Sequence, residues 1–178
     1  MSLNFNIAFA YSPEEFPGTG DEDQFLKALI FYKKSLAEFD KAKALVDIKK
    51  ACEIYPDDSY FWYQYAQLLD SKSEKLKYFA KSASLNKDFS LPWLQIAIIY
   101  DESQKYDEAI KSVNKVLENN PNDIIGIYFL SKIYKDSGNF KEYKKYKDLY
   151  SKLSKSSNTP KMPSLAEIQS YQASHPKK

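Results

Sequence analysis

Residues 90–123 read SLPWLQIAIIYDESQKYDEAIKSVNKVLENNPND. Trp93, Ile96, Ala97 and Tyr100 fall at i, i+3, i+4 and i+7, which places them on one face of a helix. Tyr106, Ala109, Val113, Val116 and Leu117 form a second apolar stripe of helical period. Pro121 closes the stretch, because proline cannot continue a helix. Two amphipathic helices joined by a short polar turn are therefore predicted, with Ala97 small enough to let them approach.

This arrangement recurs on both sides. From residue 124 to about 157, Ile127, Leu130, Ser131 and Tyr134 repeat the first stripe, Gly138 marks a turn and Phe140 opens the second helix. Tyr143 and Lys147 depart from it, standing where a small and an apolar residue are expected. Residues 59–89 carry Trp62, Tyr65, Ala66 and Leu69, then Phe79, Ala83 and Leu85. Trp62 and Trp93 are 31 residues apart, so this unit is three short, with the loss expected near Asp70 to Ser73. Residues 23–58 are the weakest unit. Phe39-Asp40-Lys41-Ala42 echoes Tyr106-Asp107-Glu108-Ala109, Pro56 closes it, and no Trp anchors its first helix.

The pattern W-x2-L-G-x2-Y, then A-x3-F, then P in a 34-residue unit is that of the tetratricopeptide repeat. The chain resembles that family over residues 23–157, through Trp93, Ile96, Ala97, Tyr100, Ala109, Val113 and Pro121. The resemblance implies an all-α fold, an α-solenoid of about four stacked helical hairpins, three clear and one degenerate at the N-terminal end. A single hairpin of this size cannot bury its apolar face, whereas a stack buries one continuous core. The Trp and Tyr stripes are thus core residues first. Cys52, beside Ala51 and Ile54, reads as an inert buried thiol.

Composition narrows the function. The chain has 178 residues, 43% hydrophobic and 28% charged, enough for a real core. Fifteen Tyr and eleven Phe against four Gly argue against a turn-rich all-β fold. The net charge is +2, and every one of the 26 basic residues is Lys. Without Arg the bidentate contacts to phosphate and guanine are missing, so nucleic-acid binding is not expected. The first 24 residues hold Glu14, Glu15, Asp21, Glu22 and Asp23 and no Lys, unlike a transit peptide. No apolar run approaches the roughly 20 residues that span a bilayer, so no membrane insertion is expected. The opening Met1-Ser2-Leu3-Asn4-Phe5 has no basic segment ahead of an apolar run, and a cytoplasmic location follows as the expectation.

Catalytic chemistry is thinly supplied. His175 is the only histidine and lies four positions after Tyr171, next to Pro176 near the end of the sequence, where a rigid triad is hard to hold. One His and one Cys do not make a conventional zinc site. Gly18-Thr19-Gly20 lacks the further residues of a phosphate loop and reads as a turn. Asp21-Glu22-Asp23 suits the positive end of a helix dipole. The expectation is no enzyme, no cofactor and no metal.

In tetratricopeptide-repeat proteins the first helix of each hairpin lines a concave groove that takes a peptide or a folded partner. The resemblance therefore implies an interaction scaffold or adaptor. Residues off the core stripe would line its groove. The second unit offers Tyr60, Tyr63, Gln64 and Gln67. The third offers Leu91, Leu94, Gln95, Ile98 and Glu102, and the last offers Ile125, Tyr128, Phe129 and Lys132. One subclass of the family clamps the carboxylate tail of heat-shock chaperones with Lys, Asn and Arg. Here those places hold Tyr63, Gln67, Gln95, Ile125 and Phe129, so that ligand is not expected. Aromatic area with Gln donors suits an extended, mostly apolar segment instead. The same layout also resembles small chaperones for secreted or assembly proteins, and a non-catalytic regulatory subunit of an enzyme complex is a further alternative.

The flanks differ. Leu3, Phe5, Ile7, Phe9 and Tyr11 alternate with Asn and Ala, the period of an extended strand with one apolar face. Residues 1–22 are expected to form an extended arm, docking in its own groove, in a neighbour's to give a homo-oligomer, or along the convex edge. Residues 158–178 read as a Pro-containing linker and a short helix opened by the capping box Ser164-Leu165-Ala166-Glu167. Residues 141–155 hold six Lys against Glu142 and Asp148, the composition of a solvated helix face.

Overall fold

The structure is a computed structural model and describes residues 21–156. The N-terminal arm, His175, the C-terminal linker and its capping box lie outside the described residues. Among the described residues eight α-helices follow one another, with no strand. They are α1 (Glu22–Ala37), α2 (Lys41–Ile54), α3 (Ser59–Leu68), α4 (Lys72–Leu85), α5 (Ser90–Glu102), α6 (Tyr106–Asn119), α7 (Ile124–Asp136) and α8 (Phe140–Ser156).

Most of the helices start where the sequence supplies a partner for their free N–H groups. Asp21, Asp40, Asp58, Ser71 and Asp123 cap α1, α2, α3, α4 and α7 by accepting from backbone N–H groups two or three residues on. Phe89 stands where Asp58 and Asp123 stand in the neighbouring units, and it makes no such bond. Its ring stacks on Tyr60 at 4.2 Å and meets Tyr63 edge-on at 5.2 Å, so packing between units replaces the cap.

Consecutive helices pack as four antiparallel hairpins, each also touching the next. Three apolar clusters fill the spaces in order. The first centres on Phe25, Ile48 and Phe61, the second on Phe79, Ile96 and Ile99, and the third on Val113, Leu130 and Ile133. Tyr78 borders the first two and Tyr100 the last two, which makes the core continuous. Within a hairpin, Ser82 donates a buried hydrogen bond to the Ser59 carbonyl at 2.7 Å.

Aligning the helix starts gives the repeat register. Phe25, Ala28, Leu29 and Tyr32 occupy the places of Trp93, Ile96, Ala97 and Tyr100, so Phe25 is the aromatic anchor of the first unit. The echo read at Phe39-Asp40-Lys41-Ala42 is corrected. Phe39 is fully exposed, Asp40 is the cap, and Ala44 takes the buried place of Ala109. The cause is α1, which has 16 residues against 13 in α5 and pushes the second helix along. The opposite change explains the short second unit, because α3 has only 10 residues.

The two ends of the stack are polar where the interior is apolar. On α1, Gln24 is exposed at the place where Phe61, Pro92 and Gly126 are buried against a preceding helix. On α8, Lys147 and Ser151 replace Val113 and Leu117, the side chains with which α6 holds its neighbours. The departure at Lys147 is thus a hydrated outer face, as terminal repeats require.

Candidate interaction groove

The odd-numbered helices form the inner layer of the stack. α5 touches α7 directly, the Phe25 and Tyr32 rings of α1 pack on Phe61 of α3 at 6.2 and 5.2 Å, and Ala66 of α3 shares a cluster with Ile96 and Ile99 of α5. Side chains on the exposed stripe of α1, α3, α5 and α7 therefore share one concave surface.

Two polar clusters cross this surface from helix to helix. The phenol of Tyr63 on α3 lies close to the amides of Gln67, one turn along its own helix, and of Gln95 on α5. Burial pushes the Tyr63 phenol above its ordinary value, and the two amides pull it partly back. The Tyr63 ring is held between Phe79 at 5.6 Å and Phe89 at 5.2 Å. Further along, Lys132 on α7 pairs with Asp101 on α5 and, at 2.7 Å, with Asp136 on its own helix. Burial works against the Lys132 ammonium, but the two carboxylates outweigh it and its pKa stands above the ordinary lysine value. The Asp101 side chain is only 9% exposed, and its Oδ1 has no hydrogen-bond partner among the described residues.

The residues read from sequence divide among three settings. Tyr60, Gln64, Gln67, Gln95, Ile98, Ile125, Tyr128 and Phe129 are half-buried, with part of each side chain at the surface. Leu94 is corrected. At 4% exposure it belongs to the core and has no free surface for a ligand. Glu102 is exposed and paired with Lys72 of α4 at 3.1 Å. Tyr128 packs on Phe129 at 5.8 Å and on Tyr150 of α8 at 5.6 Å, so the aromatic pair closes the α7 end of the surface.

The sequence reading missed the other end. Leu26 and Ile30 hold on α1 the places that Tyr63 and Gln67 hold on α3, and they are 46% and 66% exposed. The signal was the register of α1, which appears once Phe25 is taken as its anchor.

No group of three or more His, Cys, Asp or Glu among the described residues is placed to hold a metal ion. No helix among them is long and apolar enough to cross a membrane.

Stacked helical hairpins with an open inner surface define a helical-repeat scaffold, a class built for contacts with other proteins. Residues 92–123 match the family described as Tetratricopeptide repeat. In fold, and in the repeat pattern of that segment, the chain is similar to tetratricopeptide-repeat proteins. The crystal structure of MamA is similar, with a TM-score of 0.66 at 17% identity over 72% of this chain and 79% of that one. So is YrrB, described as a TPR protein with an unusual peptide-binding site. There the TM-score is 0.58 at 14% identity, over 84% of this chain and 73% of that one. No curated protein matches the chain in sequence.

Proposed function

We propose that the chain is a non-catalytic adaptor whose concave surface binds an extended, mostly apolar segment of a partner protein. The observation that carries this reading is the clustering of Tyr63, Gln67 and Gln95 across adjacent inner helices. It sets amide groups beside half-buried aromatic and aliphatic side chains. Gln amides both donate and accept, so they suit the backbone of an extended segment. Ile98, Ile125 and Phe129 continue the surface toward α7 and supply apolar area. The lysine at the far end, Lys132, is neutralised by Asp101 and Asp136, so it adds little attraction for an acidic ligand. A peptide-binding site in the similar protein YrrB agrees with this use of the fold.

The test is selection of random peptides on the full chain, followed by binding to Gln67→Lys and Ile98→Asp variants. Both changes fall on partly exposed side chains, and circular dichroism checks that the helices remain. Selected peptides should be apolar, uncharged at their centre, and lost from both variants. Peptides that bind wild type and variants equally would place recognition elsewhere on the molecule.

A further inference from the structure

The groove reading leaves its α1 end unfilled, and the chain itself carries a fitting occupant. Seven large apolar side chains are exposed among the described residues, and five of them, Leu26, Ile30, Leu36, Phe39 and Val46, lie in the first hairpin. Leu26 and Ile30 are one turn apart on the groove stripe of α1. They do not lie on its end face, where Gln24 and Lys27 are exposed to water. The end of the stack is thus already finished, while the groove at α1 keeps two uncovered aliphatic side chains.

Twenty residues precede Asp21 in the sequence. The first eleven carry no charge, and Leu3, Phe5, Ile7, Phe9 and Tyr11 alternate with Asn and Ala. An extended segment of that pattern offers one apolar face and free backbone groups. The nine residues 12–20 give a tether whose covalent length allows up to about 30 Å of reach. Adjacent helix axes lie about 8–10 Å apart, so the tether spans α1 and α3 with length to spare. Glu14 and Glu15 in the tether match Lys33, which is exposed one turn beyond Ile30 on the same stripe of α1. A tether of this length gives the segment an effective concentration on the order of millimolar, so its own groove wins over a second copy at micromolar protein.

We infer that residues 3–11 occupy the α1 end of the groove of their own chain, across Leu26 and Ile30, and compete there with a partner segment. The inference rests on the groove reading for the site but not for the identity of any partner. It makes the adaptor self-shielded, opened by whatever displaces the arm.

The full chain tests this directly. A nitroxide placed by Ser2→Cys labels that position alone, because Cys52 is buried. In methyl-labelled protein the Leu26 and Ile30 signals should be lost to paramagnetic broadening, with Ile133 at the far end of the stack unaffected. Phe5→Asp with Phe9→Asp should restore them. In a mixture of spin-labelled chain and separately methyl-labelled chain no broadening should occur. Broadening in the mixture would assign the site to a second copy and overturn the intramolecular arm. Unchanged Leu26 and Ile30 signals in the single-chain sample would overturn it outright. Peptide selection that fails to depend on Gln67 or Ile98 sinks the partner reading and leaves this result standing.

Discussion

Trp62 on α3 lies parallel to Tyr78 on α4, with ring centroids 5.5 Å apart and planes 2° from parallel. Lys81 Nζ sits 3.5 Å from the centre of the Trp62 ring, and the indole N–H donates to the Pro56 carbonyl at 2.6 Å. The two helices of the second hairpin are held by this ring far more than by any charge pair. Trp62→Ala should therefore cost about 3 kcal/mol, the lower part of the range for large aromatic truncations, since the ring is only half-buried. Lys81→Met should cost only about 0.5–1 kcal/mol, the worth of an accessible cation over a ring. Urea unfolding at constant slope measures both. Equal losses would mean that the cation and not the ring area holds the hairpin.

Two turns at equivalent places share one backbone conformation and use different residues. Gln104 has φ 57° between α5 and α6, and Gly138 has φ 77° between α7 and α8. They are 34 positions apart, one repeat. The left-handed region costs a side-chain-bearing residue about 1 kcal/mol or more, and glycine nothing. Gly138→Ala should then lose about 1 kcal/mol although open space surrounds the site. Gln104→Gly should gain about 0.5 kcal/mol, part of the relief being returned as chain entropy. Thermal unfolding of the two variants should shift in opposite directions, and a shift of both downward would refute the shared strain.

The sequence showed the repeat because its core positions are large, periodic and anchored. Trp93, Ala97, Ala109 and Pro121 made the third unit plain, and its spacing located Trp62 and Ile127. The first unit escaped that logic for a physical reason. Its anchor is Phe25 and its small residue is replaced by Leu29, so the size pattern is inverted while the burial is kept. The length of α1 then displaced the second helix, which no periodicity within α2 reveals. The groove was half legible. The stripe opposite the core follows from helix geometry, so the sequence places Tyr63, Gln67 and Gln95 on one surface. Whether a stripe residue turns to the solvent or beneath the next unit depends on its neighbours, which is why Leu94 was misplaced and Leu26 and Ile30 were overlooked.

The Lys132 and Asp101 pair joins α5 to α7 across the inner layer. With Asp101 nearly buried, removing its cation leaves a carboxylate without compensation. Lys132→Met should cost about 2 kcal/mol, below the 3–5 kcal/mol of a fully buried pair because the lysine itself is partly exposed. Adding Asp101→Leu to that variant should recover most of the loss, since the isolated charge is then gone. The double variant is the informative one. If it is no more stable than Lys132→Met, the carboxylate is not the source of the cost. Lys132 has a raised pKa in the native state, so its contribution is complete below the ordinary lysine value. It fades as pH rises through the native pKa, giving no change between pH 6 and 9.

Cys52 gives an independent probe of the joint between the first two hairpins. It is buried in the cluster of Phe25, Ile48 and Phe61. Burial pushes its thiol from 9.0 up to about 12, with Lys81 the main opposing influence. The thiolate is the reactive form, so native Cys52 is both covered and protonated at pH 8. A disulfide reagent should react with it only through opening of the joint, at a rate that becomes independent of reagent concentration when reagent is in excess. In urea the reaction should be complete at once. The linkage has the sign of a raised pKa. The native state keeps the proton that the unfolded chain loses, so the stabilisation is full below about pH 9 and declines as pH climbs toward 12. Unfolding measured at pH 7 and pH 10 should show the wild type losing stability relative to Cys52→Ala at the higher pH. A Cys52 that reacts at pH 8 as fast as the unfolded chain would show instead that the joint between α2 and α3 stands open in the native protein.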